Sequence, residues 1–303
     1  MNYQHLIEKI YQEVKPSIGK GKVANYIPAL ERVDVNSFGF AMRTKSGEEY
    51  FVGEALKPFS TQSISKLLTL VLCLNNDDSV LENKVGLEPS GSAFNSLVQL
   101  EYENGIPRNP FINAGALVIT DILLSQYTNP EDEILFFARE LAQNHGINYN
   151  IEVRNSEKET GFRNAALVNF MKSYGNIHND VERVLDCYFT QCSLEMSCLD
   201  LVRAFSFLAN NGTHSNGQHI LSYRQNKKVN SLLLTCGTYD AVGKFAYRVG
   251  LPAKSGVGGG IIAVIPNEMT LAVWSPGLDK SGNSVVGSLF LELFTTYTGK
   301  SIF

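Results

Sequence analysis

Ser63-Ile64-Ser65-Lys66 runs straight into Leu67-Leu68-Thr69-Leu70-Val71-Leu72-Cys73-Leu74, and the reading of this stretch decides the rest. The run is apolar enough for a buried helix, and the hydroxyls of Ser60 and Thr61 just before it suit a helix entry. On a helix, positions i and i+3 share a face, so Lys66 falls beside the Ser63 hydroxyl. Backbone N–H groups at a helix start lack intrahelical partners and can hold an oxyanion. The string obeys S-x-x-K, the spacing of a serine nucleophile activated by lysine rather than by histidine.

A second string, Lys254-Ser255-Gly256, resembles K-[ST]-G and precedes Val257-Gly258-Gly259-Gly260-Ile261-Ile262-Ala263-Val264-Ile265. It is read as opening a Gly-rich strand on which a substrate can approach the backbone. Both strings have decoys. Ser17-Ile18-Gly19-Lys20 also fits S-x-x-K, but Pro16, Gly19 and Gly21 argue against a helix that would pair its ends. Lys45-Ser46-Gly47 reads as a hairpin turn and Lys280-Ser281-Gly282 as a polar loop. For Lys66 and Lys254 the ordinary alternative is a solvated lysine at a helix end or in a loop.

Composition narrows the class. A chain of 303 residues, 44% hydrophobic and 18% charged, suits a globular protein with a sizeable core. Its 30 acidic and 26 basic residues leave a net charge of -4, so a nucleic-acid partner has no electrostatic support. The opening Met1-Asn2-Tyr3-Gln4-His5-Leu6-Ile7-Glu8-Lys9-Ile10 has helical periodicity and mixed charge, unlike a secretory leader; a cytoplasmic protein with no membrane association is expected. The five cysteines are odd in number and mostly sit in apolar helical settings, which suits reduced core thiols. His214 and His219 lack further ligands at metal spacing, so neither a metal nor a cofactor is expected.

Periodicity gives the order of elements. A helix is expected over 3–14, strands over 38–42 and 50–52, and strands again over 260–266 and 269–274, with a last helix over 284–297. Between them the signal is helical, at 65–74, 114–125, 131–142, 163–174, 181–190, 199–210 and 226–235. The expected architecture is therefore α+β. One antiparallel sheet, flanked by the terminal helices and built from about 1–60 and 240–303, carries an inserted all-α subdomain of about 61–239. A cleft between the two would bring Ser63 and Lys254 together. A lysine base must be neutral there, and burial and a neighbouring cation both lower its pKa.

The chain resembles the serine-dependent glutaminases, which share the penicillin-recognising, β-lactamase-like fold. The resemblance rests on Gly21-Lys22-Val23-Ala24-Asn25-Tyr26-Ile27-Pro28, Gln62-Ser63-Ile64-Ser65-Lys66 and Arg108-Asn109-Pro110-Phe111-Ile112-Asn113-Ala114-Gly115-Ala116. It continues through Ser156-Glu157-Lys158-Glu159-Thr160-Gly161-Phe162-Arg163-Asn164, Leu185-Asp186-Cys187-Tyr188-Phe189, Cys236-Gly237-Thr238-Tyr239-Asp240 and Gly250-Leu251-Pro252-Ala253-Lys254-Ser255-Gly256-Val257-Gly258-Gly259. It implies hydrolysis of L-glutamine to L-glutamate and ammonia through an acyl-serine. Ser63 is then the nucleophile, Lys66 its base and Tyr239 the proton relay to ammonia, with Lys254 in support. The N–H groups of Ser63 and Val257 form the oxyanion hole. Glu157 takes the substrate ammonium, while Tyr26, Asn113, Asn164 and Tyr188 donate to its carboxylate. A homodimer or homotetramer is implied, without the ankyrin repeats of the animal members.

Other readings stand beside this one. Asn113 can be a helix cap, Tyr26 and Tyr188 core aromatics, and Glu157 a solvated loop acid. A penicillin-directed hydrolase or an esterase on the same fold is the nearest rival, against which the missing Ser-Asp-Asn signature and export signal count. A catalytically silent amino-acid sensor would need no base, and Ser63, Lys66 and Tyr239 are all present.

Overall fold

The computed structural model describes residues 1–76, 79–91 and 95–303. Among the described residues eight strands form two sheets. The larger is antiparallel throughout, in the order β2-β1-β8-β7-β6, where β1 is Gly39–Thr44, β2 Glu49–Gly53, β6 Ala253–Ser255, β7 Gly260–Ile265 and β8 Met269–Trp274. The smaller is ordered β3-β5-β4, from Phe59–Ser60, Leu194–Met196 and Asn148–Tyr149 respectively.

Strand alternation sorts the side chains of the large sheet between two cores. Phe40, Met42, Ile261, Ala263, Leu271 and Val273 meet Ile7 and Ile10 of the Tyr3–Val14 helix and Phe290 and Phe294 of the Val285–Thr298 helix. Ala41, Ile262, Val264, Ala272 and Trp274 belong instead to the core of the helical region, with Ile64 and Leu67. Both faces are thus covered, and each fully buried Leu, Ile or Phe contributes about 2 kcal/mol of transfer free energy.

The Ser65–Asn76 helix is buried along its whole length from Ser65 to Leu74. Apolar on all sides, it has to run through the middle of the helical region, where Asn113–Gln126, Pro130–Ala142 and Val181–Cys192 pack around it. Two decoy readings are settled here. Lys45-Ser46-Gly47 is the turn between β1 and β2, with the Gly47 N–H donating to Thr44 O. Lys20 Nζ does reach Ser17 Oγ, at 3.1 Å, contrary to the reading that these two need not meet; Lys20 is exposed, and the pair sits at the surface.

Three expectations need correction. The Lys254 string does not open a long Gly-rich strand: it lies on the edge strand β6, and 256–259 form the turn into β7. The expected 199–210 helix is Cys198–Ala204 followed by a separate 3-10 turn at Ser206–Ala209. Glu157, considered above as a loop acid, sits on a helix, Ile151–Thr160. The smaller sheet and the short helices Pro28–Glu31 and Val98–Tyr102 carried no periodic signal.

Candidate active site

Ser63 lies in a 3-10 turn, Gln62–Ile64, that leads into the buried helix. The turn is pinned from below: the Thr61 N–H and hydroxyl both donate to Leu194 O, at 2.8 and 2.9 Å, and Ser60 Oγ donates to Cys192 O at 3.2 Å. Gln62 adopts φ +49, a left-handed conformation unusual outside glycine and asparagine. Such strain persists where surrounding contacts over-determine the backbone, and it puts Ser63 at the pocket floor.

The β6–β7 turn closes over Ser63 because its glycines allow contact that a Cβ would forbid. A Cβ on Gly258 would come to 2.1 Å from Ser60 O, and one on Gly256 to 2.4 Å from Thr61 O. This close packing carries Val257 to the pocket wall. Tyr239, at φ +58, lies beneath it in the 3-10 turn Tyr239–Ala241. Burial raises the pKa of its hydroxyl, against the opposing pull of the neighbouring Ser63 and Ser255 side chains and the Val257 backbone.

Two lysines are buried here, Lys66 at 1% exposure and Lys254 at 0%. Lys66 Nζ donates to Asn113 Oδ1 at 2.6 Å and to Phe111 O at 3.4 Å. Burial lowers its pKa to about 8, against the opposing pull of Cys192 and Glu157. Of the two causes expected for Lys66, burial is the leading one, and the Lys254 cation is not among those that shift it. Lys254 is itself lowered, by burial and then by the charge of Lys66. Its ammonium donates to Gly237 O at 3.0 Å and Ser255 O at 2.6 Å, and stands 4.6 Å above the Tyr239 ring.

A pocket above Ser63 is lined by Tyr26, Asn113, Glu157, Asn164, Tyr188 and Val257. Of the substrate-binding candidates all but Tyr239 line this pocket; Tyr239 packs instead with Val257 in a small apolar cluster. The ordinary readings of Asn113, Tyr26 and Glu157 fail on geometry, whereas Tyr188 is the core aromatic that its ordinary reading expects. Asn113 opens the Asn113–Gln126 helix without capping it; its amide links Lys66 to Asn164, whose Oδ1 accepts at 2.9 Å. Tyr26 is 53% exposed, so it is no core residue, while Tyr188 is buried with its ring 5.9 Å from Lys66 Nζ. Glu157 is buried, its Oε1 accepting from Gln62 Nε2 at 2.8 Å. Burial lifts the Glu157 pKa to about 7, although the Gln62 bond and the Lys66 charge both lower it.

Sequence reasoning passed over Gln62, Cys192, Thr160 and Arg163, which also line the pocket. Gln62, Thr160 and Arg163 were visible only as members of the quoted segments, and Cys192 lies in none of them. The five cysteines are all buried, and burial raises the Cys192 pKa. Among the described residues no cluster of His, Cys, Asp and Glu is arranged to hold a metal ion, and no helix is long and apolar enough to cross a membrane.

A large antiparallel sheet covered on one face by the terminal helices and on the other by a helical region is the β-lactamase-like fold. Residues 21–303 match the glutaminase family model. Curated glutaminases from Ralstonia nicotianae and Agrobacterium fabrum are 52% and 54% identical to this chain; the first alignment covers 100% of both chains, the second 99% and 98%. Among solved structures, the probable glutaminase ybaS superposes with a TM-score of 0.93 at 33% identity, over 99% of this chain and 97% of that one. A probable glutaminase from Bacillus subtilis, complexed with 6-diazo-5-oxo-L-norleucine, matches at 0.90 and 30%, over 100% and 98%. The chain belongs to the glutaminase family and is a hydrolase acting on glutamine.

Proposed function

We propose that the chain hydrolyses L-glutamine through an acyl-serine formed on Ser63 with Lys66 as base. The observation that carries this is the pairing of a buried lysine whose pKa falls to about 8 with a pocket-floor serine three residues before it. Neutral Lys66 takes the Ser63 proton as Oγ attacks the side-chain carboxamide carbon. The N–H groups of Ser63 and Val257 hold the resulting oxyanion. The C–N bond then breaks as the proton held by Lys66 is returned through the Tyr239 hydroxyl to the leaving nitrogen, which departs as ammonia and leaves Lys66 neutral. Water attacks the ester by the same proton path, giving glutamate and free Ser63. Lys254 supports Tyr239 by bonding the Gly237 carbonyl two residues before it.

At the far end of the pocket, ionised Glu157 pairs with the substrate ammonium, and Tyr26, Asn113, Asn164 and Tyr188 donate to the carboxylate. That division matches an amino-acid zwitterion, and the diazo-oxo-norleucine complex of the Bacillus subtilis relative supports it. The chain works as a single catalytic unit of a sheet part, about 1–60 and 240–303, and a helical part, about 61–239. It needs no cofactor and acts in the cytoplasm as a homodimer or homotetramer. Self-association is supported by large apolar side chains left exposed at Val98, Tyr102 and Phe162. Incubating the pure protein with L-glutamine and assaying ammonia tests the reaction; no release above a blank would refute it.

A further inference from the structure

The helix that carries Glu157 is poorly anchored by apolar contact. Of Ile151–Thr160, only Val153 and Glu157 are buried, and Ile151 is exposed. So polar contacts must hold it. One carboxylate, Asp186 of the Val181–Cys192 helix, grips it twice: Arg154 Nη2 donates to Asp186 Oδ2 at 2.6 Å, and Lys158 Nζ donates to Oδ1 at 2.9 Å. Arg154 and Lys158 are four residues apart, one helical turn, so a single acid can bridge them. Glu157 lies between the two in sequence, and Asp186 stands two residues before Tyr188.

We propose that Asp186 is a positioning residue for the substrate zwitterion, clamping the helix of Glu157 to the helix of Tyr188. It touches neither substrate nor Ser63. Its carboxyl is held below the usual carboxylate range: burial pushes it up, and the bond from Lys158 with the charges of Arg154 and Lys158 outweighs that. Charge-assisted bonds shared by one acceptor fix geometry better than an isolated surface pair. Gln62 Nε2 donates to Glu157 Oε1 at 2.8 Å but reaches neither Tyr188 nor its helix-borne neighbour Asp186, and the remaining ties lie elsewhere. Ser156 Oγ accepts from the Ala29 N–H at 3.2 Å, and the Asn150 side chain caps the first turn, accepting from Val153 N–H at 3.0 Å. Arg32 also pairs with Glu152, but both side chains are exposed.

Loosening the clamp displaces Glu157 and Tyr188 from the amino-acid end of the substrate while leaving Ser63 and Lys66 in place. Binding is then lost equally from ground state and transition state, which raises KM and spares kcat. This inference rests on the glutaminase reading above, and one set of assays separates the two. Glutamine kinetics are measured well below the melting temperature for the wild type, Asp186→Asn, Arg154→Gln, Asp186→Glu and Arg32→Gln. The expected result is a KM about fivefold higher in Asp186→Asn and Arg154→Gln with kcat within about twofold. Asp186→Glu recovers part of the loss, and Arg32→Gln matches the wild type. A purely structural role would lower the melting temperature and leave KM where it was. KM within twofold of wild type in both Asp186→Asn and Arg154→Gln overturns the clamp, as does an equal fall in kcat. A wild type that releases no ammonia from glutamine overturns the underlying reading and the clamp with it.

Discussion

Lys66 Nζ lies 2.6 Å from Asn113 Oδ1, with both side chains buried. Burial, opposed by Cys192 and Glu157, leaves the Lys66 pKa at about 8, and an oxygen acceptor at this distance favours the ammonium form. A lysine base works only when neutral, so turnover rises with pH through that value. Removing the acceptor in Asn113→Ala moves the rising limb of kcat to lower pH; placing a carboxylate there in Asn113→Asp moves it higher. The kcat–pH profiles of the three proteins check both directions. Limbs that coincide would mean that another group titrates.

The helices and the large sheet were legible because apolar residues recur at helical spacing or form short continuous runs, as from Ile261 to Ile265. Ser63 and Lys66 were legible by spacing together with the apolar run that follows them, since Ser17 and Lys20 share the spacing without the run. The Ile151–Thr160 helix was not, since ion pairs and a cap stand in for an apolar stripe. Strands of two or three residues, such as Phe59–Ser60, are too short to show alternation, yet that one fixes the nucleophile turn. The left-handed φ of Gln62 and Tyr239 had no sequence signal, because neither residue type favours it and only the surrounding packing imposes it. The β6–β7 glycines were read as strand because their role is close approach to Ser60 and Thr61, a tertiary fact.

Specificity is tested at Glu157. Glu157→Gln removes the charge and nearly keeps the shape, and should cost about 2 to 5 kcal/mol of substrate interaction, the range for breaking a buried charge pair. Acetylating the α-amino group of glutamine should hurt the wild type severely and the variant far less. Comparing kcat/KM for both substrates on both proteins completes the cycle. Equal penalties for acetylation would show that Glu157 does not read the ammonium.

The same residue should cost stability. Its folded pKa, about 7, lies above its ordinary value of 4.5, so the native state resists ionisation that the unfolded chain accepts. The penalty is absent below the unfolded value, grows between pH 4.5 and 7, and is constant above, at about 3 kcal/mol. Glu157→Gln is accordingly expected to melt higher than wild type at pH 8, with the gain shrinking below pH 7 and gone near pH 4. Thermal scans across that range check the sign. A variant that is less stable at pH 8 would mean that Glu157 is stabilised as the anion.

Ammonia release by Ser63→Ala is the most direct test of the central claim that Ser63 is the nucleophile. With the fold intact by melting temperature, kcat is expected to fall on the order of 10⁶, the scale for losing a serine nucleophile, while Ser17→Ala, at the surface S-x-x-K, stays close to wild type. A Ser63→Ala protein that keeps a tenth of wild-type turnover would contradict the account.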